Sequence, residues 1–131
     1  MKKIDHIAIA VRDLKEAAKT FEALGLKLST SHEVSNMKVD TKFAKIGDTH
    51  IELISPTSKD SVVEKFLEKR GEGLHHICFE VENIEMELKV LEKKGFQLVH
   101  KEPQKGARGK VAFLHPQSTH GVLIELIQKV K

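Results

Sequence analysis

The sequence contains no tryptophan and no tyrosine, and it has only six phenylalanines. So few aromatic side chains leave little material for stacking bases, which single-stranded nucleic-acid binding requires. The 22 lysine and arginine residues slightly exceed the 19 acidic residues and are scattered along the chain. Nucleic acid is therefore not the favoured partner, and a formal net charge of +3 would suit an anionic small molecule equally well.

Cysteine is nearly absent as well. Cys78 is the only one, which excludes an internal disulfide and favours a reducing compartment. The sequence has no N-terminal hydrophobic signal region and no apolar run long enough to cross a bilayer, so we expect a cytoplasmic protein. A length of 131 residues suffices for one compact domain with a hydrophobic core.

The chain contains an internal repeat. The segment HIAIAVRDLKEA begins at His6, and the related segment HICFEVENIEME begins 70 residues later at His76. At the same offset GLKL becomes GFQL, and the triplet IEL recurs with the offset increased to 73 residues. Several independent positions agree, so the sequence indicates a duplicated module with a three-residue insertion in its second copy.

Each half has the pattern of a β-α-β-β-β module. A short apolar run, at residues 4–11 and again at 74–81, is typical of a buried strand. A helix-capping residue, Asp13 or Asn83, follows each run and precedes apolar residues at helical spacing that end at a glycine. After the helices we expect strands at about 27–34, 39–46 and 50–55, and at about 97–101, 110–115 and 122–128.

Between the halves, SKDSVVEKFLEKRGEG predicts a short linker helix over about 61–70. We therefore predict one domain over residues 1–131, with module one at about 1–56, the linker helix at about 57–72 and module two at about 73–131. The predicted fold class is α+β, with two tandem βαβββ modules forming one curved, incompletely closed mixed sheet. Pairing the modules would bury the concave face that each one leaves open.

Two histidines and two glutamates occupy duplicated positions inside the apolar runs: His6 with His76, and Glu52 with Glu125. In GVLIELIQ the carboxylate of Glu125 lies among apolar residues, where an unpaired charge costs several kcal/mol or takes up a proton. Two imidazoles and two carboxylates form a suitable ligand set for a divalent cation, which would compensate that charge. Such ligands suit Zn, Co, Ni or Mn better than Ca. The alternative, four satisfied strand residues, is disfavoured by their duplication.

The segments HIAIAV, HHICFEV and GVLIEL resemble the vicinal-oxygen-chelate superfamily, whose domains are paired βαβββ modules around a metal site. Within it, VVEKFLEKRGEGLHHICFEV and GKVAFLHPQSTHGVLIEL resemble the methylmalonyl-CoA epimerase family, and the resemblance covers nearly the whole chain. It implies a homodimer that epimerises an acyl-CoA substrate at C2 through a metal-stabilised enolate. It also implies a divalent metal ion, Co, Ni, Zn or Mn, held by His6, Glu52, His76 and Glu125.

The resemblance gives Glu125 a second role as acid or base at the α-carbon of the substrate. Epimerisation removes the C2 proton and returns it on the other face, which requires a proton-transferring group on each side of the planar enolate. In at least one family member a second acid faces the first from the strand corresponding to residues 39–46, where Asp40 is the only acid. An alignment shifted by one residue would place Thr41 at that position instead, and alternation puts the two on opposite faces. Glu52 and a bound water are the alternatives to Asp40.

Basic residues near the predicted site suggest where coenzyme A would bind. KGARGK is a glycine-interrupted basic loop, so Arg108 and Lys110 are candidates to contact the phosphates, the alternative being a solvated turn. His115, in FLHP, matches the family segment and is a further candidate for substrate binding.

The four ligand positions alone are shared with glyoxalase I (lactoylglutathione lyase), which isomerises the hemithioacetal of glutathione and methylglyoxal. This is the alternative function. The segment FLHPQSTHG disfavours it, because glyoxalases more often carry a DP-G type of turn there. The antibiotic-sequestering proteins of the superfamily typically lack the full ligand set, so its presence disfavours a purely binding role.

Overall fold

The computed structural model describes residues 1–130, and the chain divides into two compact units. One unit consists of residues 6–75, and the other of residues 1–5 together with the chain from His76 onward. Residues 1–130 form eight strands and three α-helices, with two short 3₁₀ turns. None of the helices in this range has the length and apolar character that a membrane span requires.

The first module has the predicted β-α-β-β-β order. Its elements are β1 (Lys3–Ala10), α1 (Leu14–Ala23), β2 (His32–Val34), β3 (Val39–Ile46) and β4 (Thr49–Pro56). β4 pairs in parallel with β1 and antiparallel with β3, which in turn pairs with β2, so this mixed sheet has the order β2-β3-β4-β1. Asp13 is the N-cap of α1 and accepts a 3.0 Å hydrogen bond from the backbone N–H of Glu16, as the sequence predicted.

The second module repeats the pattern after a linker helix. The linker helix is α2 (Val62–Arg70), and the elements of the second module are β5 (Gly73–Glu80), α3 (Ile84–Lys93), β6 (Gln104–Lys105), β7 (Gly109–Leu114) and β8 (Ile124–Lys129). The strands follow the order β5-β8-β7-β6, with β5 and β8 parallel and the other pairs antiparallel. The predicted linker helix is confirmed as α2, which begins after its N-cap Ser61 and ends at Gly71, where φ is +77°. The α+β class and the tandem βαβββ modules are confirmed.

The predicted strands at 27–34 and 97–101 were largely wrong. Only the last three residues of the first are a strand, and the second has a single bridge, between Leu98 and Leu114, while β6 comes later in the chain. In both segments a side-chain atom accepts a backbone N–H that a backbone carbonyl would accept in a regular sheet. Ser29 Oγ accepts the N–H of Phe43 at 3.0 Å, and His100 Nδ1 accepts the N–H of Phe113 at 3.4 Å. Such local side-chain bonds compete with a regular ladder.

Each unit has its own hydrophobic core. In the unit of residues 6–75, apolar side chains from four strands pack with those of α2. In the other unit, Ile84, Leu88 and Leu91 on α3 are buried against residues of β7 and β8. Full burial of one such side chain stabilises the fold by about 1.5–3 kcal/mol. These cores fix the strands, and therefore the directions in which the polar strand residues point.

Candidate metal and acid–base site

His6 and Glu52 come together within the unit of residues 6–75. β1 and β4 run parallel with Ala8 opposite Glu52, and His6 lies two residues before Ala8, on the same face of the strand. The Nε2 atom of His6 is 3.2 Å from Oε1 of Glu52, and both side chains are buried. The first predicted imidazole–carboxylate pair therefore exists in the fold.

His76 and Glu125 form an equivalent pair within the other unit. β5 and β8 run parallel with Cys78 opposite Glu125, and His76 lies two residues before Cys78. The Nε2 atom of His76 is 2.9 Å from Oε1 of Glu125, and both residues are buried. The duplicated sequence thus produces the same local arrangement twice, and the buried carboxylate in GVLIELIQ has an imidazole beside it.

A phenylalanine accompanies each pair, which the sequence analysis overlooked. Phe43 on β3 is opposite Glu52, and Phe113 on β7 is opposite Glu125. The rings meet the imidazoles edge to face, with centroids 6.3 Å apart for His6–Phe43 and 5.2 Å apart for His76–Phe113. This is a favourable aromatic geometry that restricts how the imidazoles rotate. The signal was available, because the phenylalanines are separated by the same 70 residues as the histidines.

Each pair fits the first coordination shell of a divalent cation. Two ligand atoms in adjacent positions, each bonded to the ion at about 2.1 Å, are about 3 Å apart when the angle at the metal is near 90°. The measured Nε2–Oε1 distances of 3.2 and 2.9 Å agree with that separation. Each pair is shielded from water and offers one nitrogen and one oxygen, the ligand chemistry of Zn, Co, Ni and Mn sites.

A second imidazole flanks each phenylalanine. The ring of His50 lies 6.2 Å from Phe43, and the ring of His100 lies 5.8 Å from Phe113. Burial lowers the pKa of His100, and the negative charge of Glu125 acts in the opposite direction. Sequence analysis did not find these two histidines, because they do not occupy duplicated positions.

Asp40 lies on the opposite face of β3 from Phe43. In the β3–β4 register Asp40 is opposite Ser55, whereas Thr41 is opposite Ile54 and Phe43 is opposite Glu52. Since side chains alternate along a strand, Thr41 shares the face of Phe43 and Glu52, and Asp40 does not. Thr41 is buried, and its hydroxyl donates to the carbonyl of His32 at 3.3 Å.

Asp5 is a buried charge that the sequence analysis also overlooked. It exposes no surface, and its carboxylate accepts two hydrogen bonds from the guanidinium of Arg108 and one from Lys129, with Lys129 Nζ 2.9 Å from Oδ1. The hydrogen bond with Asp5 is the main cause that raises the pKa of Lys129 above its ordinary value, and Glu80 adds to it. The argument applied to Glu125 is that an acid inside an apolar strand needs a partner. The same argument would have predicted a partner for Asp5.

The predicted substrate-binding residues lie in or near the second module's loops and already have protein partners. Arg108 binds Asp5, and Lys110 Nζ is 2.9 Å from Glu85. Both cations line an open cleft of about 780 Å³ formed mainly by residues 102–110. His115 caps the 3₁₀ turn that follows it, with Nδ1 accepting the N–H of Gln117 at 3.1 Å.

Comparison with known proteins gives full-length similarities. The sequence model of the Glyoxalase/Bleomycin resistance protein/Dioxygenase superfamily matches residues 5–113. The uncharacterized protein YqjC of Bacillus subtilis is 42% identical over 130 residues, covering 98% of this chain and 93% of that protein. The mitochondrial methylmalonyl-CoA epimerase of Homo sapiens is 40% identical over 129 residues, covering 96% of this chain and 73% of that protein.

A solved structure is also similar to this chain. A methylmalonyl-CoA epimerase in complex with methylmalonyl-CoA and NH4+ superposes with a TM-score of 0.95 at 33% sequence identity. The match covers 99% of this chain and 96% of the other.

Proposed function

Because the chain belongs to the Glyoxalase/Bleomycin resistance protein/Dioxygenase superfamily, as its segments predicted, we propose that it is a metal-dependent methylmalonyl-CoA epimerase. The observation that carries the proposal is the occurrence of two buried imidazole–carboxylate pairs, one in each unit, at duplicated positions. Full-length similarity to methylmalonyl-CoA epimerases supports the choice of substrate within this superfamily.

The four residues of the two pairs are the proposed metal ligands: His6, Glu52, His76 and Glu125. A divalent ion of Co, Ni, Zn or Mn bound there would act as a Lewis acid that makes the C2 proton of the thioester easier to remove. The imidazoles would supply nitrogen ligands, and the edge contacts with Phe43 and Phe113 restrict the orientation of their rings.

Glu125 is the proposed acid–base residue. Its carboxylate removes the proton from C2 of the substrate, and as a carboxylic acid it returns a proton to the planar enolate. Burial keeps bulk water away from the carboxylate, so the proton passes between Glu125 and the substrate instead of being lost to solvent. Transfer on the opposite face of the enolate requires a second group.

For that second group Glu52 is better supported than Asp40. Glu52 is buried beside His6, whereas Asp40 lies on the other face of β3 and opposite Ser55. The duplication also makes Glu52 the counterpart of Glu125. We therefore propose that the two glutamates share the two proton transfers, each from its own module.

The cleft along residues 102–110 is the proposed site for the phosphates of coenzyme A. Lys110 is well suited to this role, because its present partner Glu85 is exposed and a phosphate can replace it. Arg108 is less available, since its guanidinium is committed to a buried carboxylate. A contact from His115 to the substrate stays a prediction, as do the homodimer, the cytoplasmic location and the single-domain organisation.

Deuterium exchange at C2 of methylmalonyl-CoA, followed by NMR, tests the proposed function. We expect the metal-loaded wild type to exchange the proton, and Glu125→Gln to do so about 10²–10⁴ times more slowly, the usual contribution of a general acid–base group. The matched control is Glu22→Gln, an exposed glutamate on α1, which should exchange at the wild-type rate. No exchange by a wild type with a full complement of metal would contradict the proposal, and formation of lactoylglutathione by that protein would assign the site to glyoxalase I.

A further inference from the structure

We propose that His100 is a specificity-determining residue whose Nε2–H donates a hydrogen bond to the free carboxylate of the substrate. The ligand class is an acyl-CoA thioester that carries a second carboxylate on its α-carbon. The inference rests on the proposed function, because it places that carboxylate beside the acid–base residue Glu125.

The position of His100 follows from its contact with Phe113. Phe113 is directly opposite Glu125 in the β7–β8 register, so the two side chains share one face of the sheet. The ring of His100 packs against Phe113 at a centroid distance of 5.8 Å, and the ring of His76 packs against it at 5.2 Å. Phe113 thus contacts both His76, a proposed metal ligand, and His100, and it lies on the face of the sheet that carries Glu125.

The hydrogen bonding of His100 determines which nitrogen carries the proton. Nδ1 accepts the backbone N–H of Phe113 at 3.4 Å, so it carries no hydrogen itself. In a neutral imidazole the remaining nitrogen is then the donor, which makes Nε2–H available to a ligand. Burial lowers the pKa of His100, which keeps the ring uncharged at neutral pH.

A neutral donor suits this place better than a cation. A lysine or arginine beside Glu125 would form an ion pair with it and make its carboxylate a weaker base. An uncharged N–H still forms a strong hydrogen bond with an ionised carboxylate, and it adds no further positive charge beside Glu125. His100 can therefore recognise the substrate carboxylate without weakening the base.

His100 belongs to the second module alone. The residue 70 positions earlier is Thr30, so no histidine occupies the equivalent position in the first module. There, His50 from β4 contacts Phe43 in its place. The donor is therefore confined to one copy of the repeat, as expected of a group that serves one substrate.

Binding measurements with two thioesters test the proposal. Affinities for methylmalonyl-CoA and for propionyl-CoA, which lacks the second carboxylate, are measured by calorimetry with the metal-loaded full chain. The variants are His100→Leu, which removes the donor, and His100→Gln, whose amide can supply an N–H near the position of Nε2. His32→Leu is the matched control, because His32 is an exposed histidine on β2.

We expect His100→Leu to weaken binding of methylmalonyl-CoA about 10- to 100-fold, the range for a hydrogen bond to a charged group. Binding of propionyl-CoA should change less than about twofold, and His100→Gln should recover most of the lost affinity. Partial unfolding would lower the apparent binding of both ligands equally, so the ratio of the two affinities separates a lost contact from a damaged fold.

Equal losses for both thioesters, or an unchanged ratio in His100→Leu, would overturn the inference. Wild-type exchange of the C2 proton, measured on the same sample, separates this failure from that of the proposed function. If the wild type exchanges the C2 proton but the ratio of the two affinities is unchanged in His100→Leu, only the proposed role of His100 is refuted. If the affinity ratio changes in His100→Leu but the wild type does not exchange the C2 proton, the contact between His100 and the substrate carboxylate is supported and the epimerase activity is refuted.

Discussion

Asp5 and Arg108 form a two-point ion pair across 103 residues of sequence, joining the first strand to the β6–β7 loop. Nη1 and Nη2 of the guanidinium each donate to a different oxygen of the carboxylate, the geometry in which arginine binds carboxylates most strongly. Asp5 is fully buried, while the side chain of Arg108 is 24% exposed. Since Asp5 directly precedes His6, the pair holds the backbone next to a proposed metal ligand.

Replacing Arg108 by leucine should destabilise the fold, because the buried carboxylate of Asp5 would lose both hydrogen bonds from the guanidinium. We expect the free energy of unfolding to fall by about 2–4 kcal/mol, slightly below the range for breaking a fully buried ion pair. Urea denaturation monitored by circular dichroism measures the change. Lys110→Leu is the control, because the Lys110–Glu85 pair is exposed and its loss should have little effect. Equal destabilisation by the two variants would argue against a special role for Asp5.

Gly109→Ala should separate the paired ends of β7 and β8. A Cβ atom at this position would lie 2.3 Å from the carbonyl oxygen of Gln128 and 2.9 Å from Cα of Lys129. Backbone atoms cannot move aside as a flexible side chain can, so we expect a loss of about 2–3 kcal/mol in unfolding free energy. Gly47→Asn is the comparison, since open space surrounds Gly47 and asparagine tolerates its φ of +58°. Stability of Gly109→Ala equal to that of Gly47→Asn would contradict the close approach.

Divalent cations should raise the melting temperature. An ion that binds only the folded chain stabilises it by about 2.7 kcal/mol at a concentration one hundred times its dissociation constant. Thermal unfolding with and without Co, Ni, Zn or Mn, combined with elemental analysis, measures this effect. His6→Ala and His76→Ala should each remove most of the stabilisation, whereas His32→Ala, at an exposed position, should retain it. An unchanged melting temperature in every metal would contradict the ligand assignment.

The carboxyl group of Asp60 should titrate abnormally. The hydrogen bond from Lys38, followed by that from Ser58, lowers the pKa of Asp60 from 3.8 to about 2. A depressed carboxyl pKa stabilises the folded state above pH 3.8, and the contribution is lost as the pH falls through the folded-state value of about 2.

NMR titration of the Asp60 carboxyl carbon checks the pKa. In Lys38→Met the midpoint should move back towards 3.8, while Lys59→Met, at the adjacent exposed position, should leave it in place. The same midpoint in the wild type and in Lys38→Met would refute the assignment of the shift to Lys38.

The sequence was sufficient to predict the modules and the four ligand-type residues. His6 and Glu52 interrupt apolar runs and recur in the second half, so repetition identified them without any knowledge of strand pairing. Phe43 and Phe113 recur as well, but phenylalanine in a strand is ordinary core material and attracted no attention. Their relation to the glutamates is a matter of register, which local patterns do not specify.

Long-range and register-dependent features were harder to predict. Asp5 finds Arg108 in a loop 103 residues away, and no local pattern connects the two. A register shift of one residue moves every side chain to the opposite face of a sheet. The apolar pattern of β3 therefore could not show whether Asp40 or Thr41 shares the face of Glu52, and the pairing with β4 shows that Thr41 does.

The local construction of each histidine–glutamate pair bears on how such a protein could originate. One module of this kind carries half of the donor set together with its phenylalanine, because both members of each pair lie on parallel strands of one unit. Two copies of one such module would therefore supply all four donors. The unequal placement of His50 and His100 shows that the two copies differ in the residues that surround this shared pair.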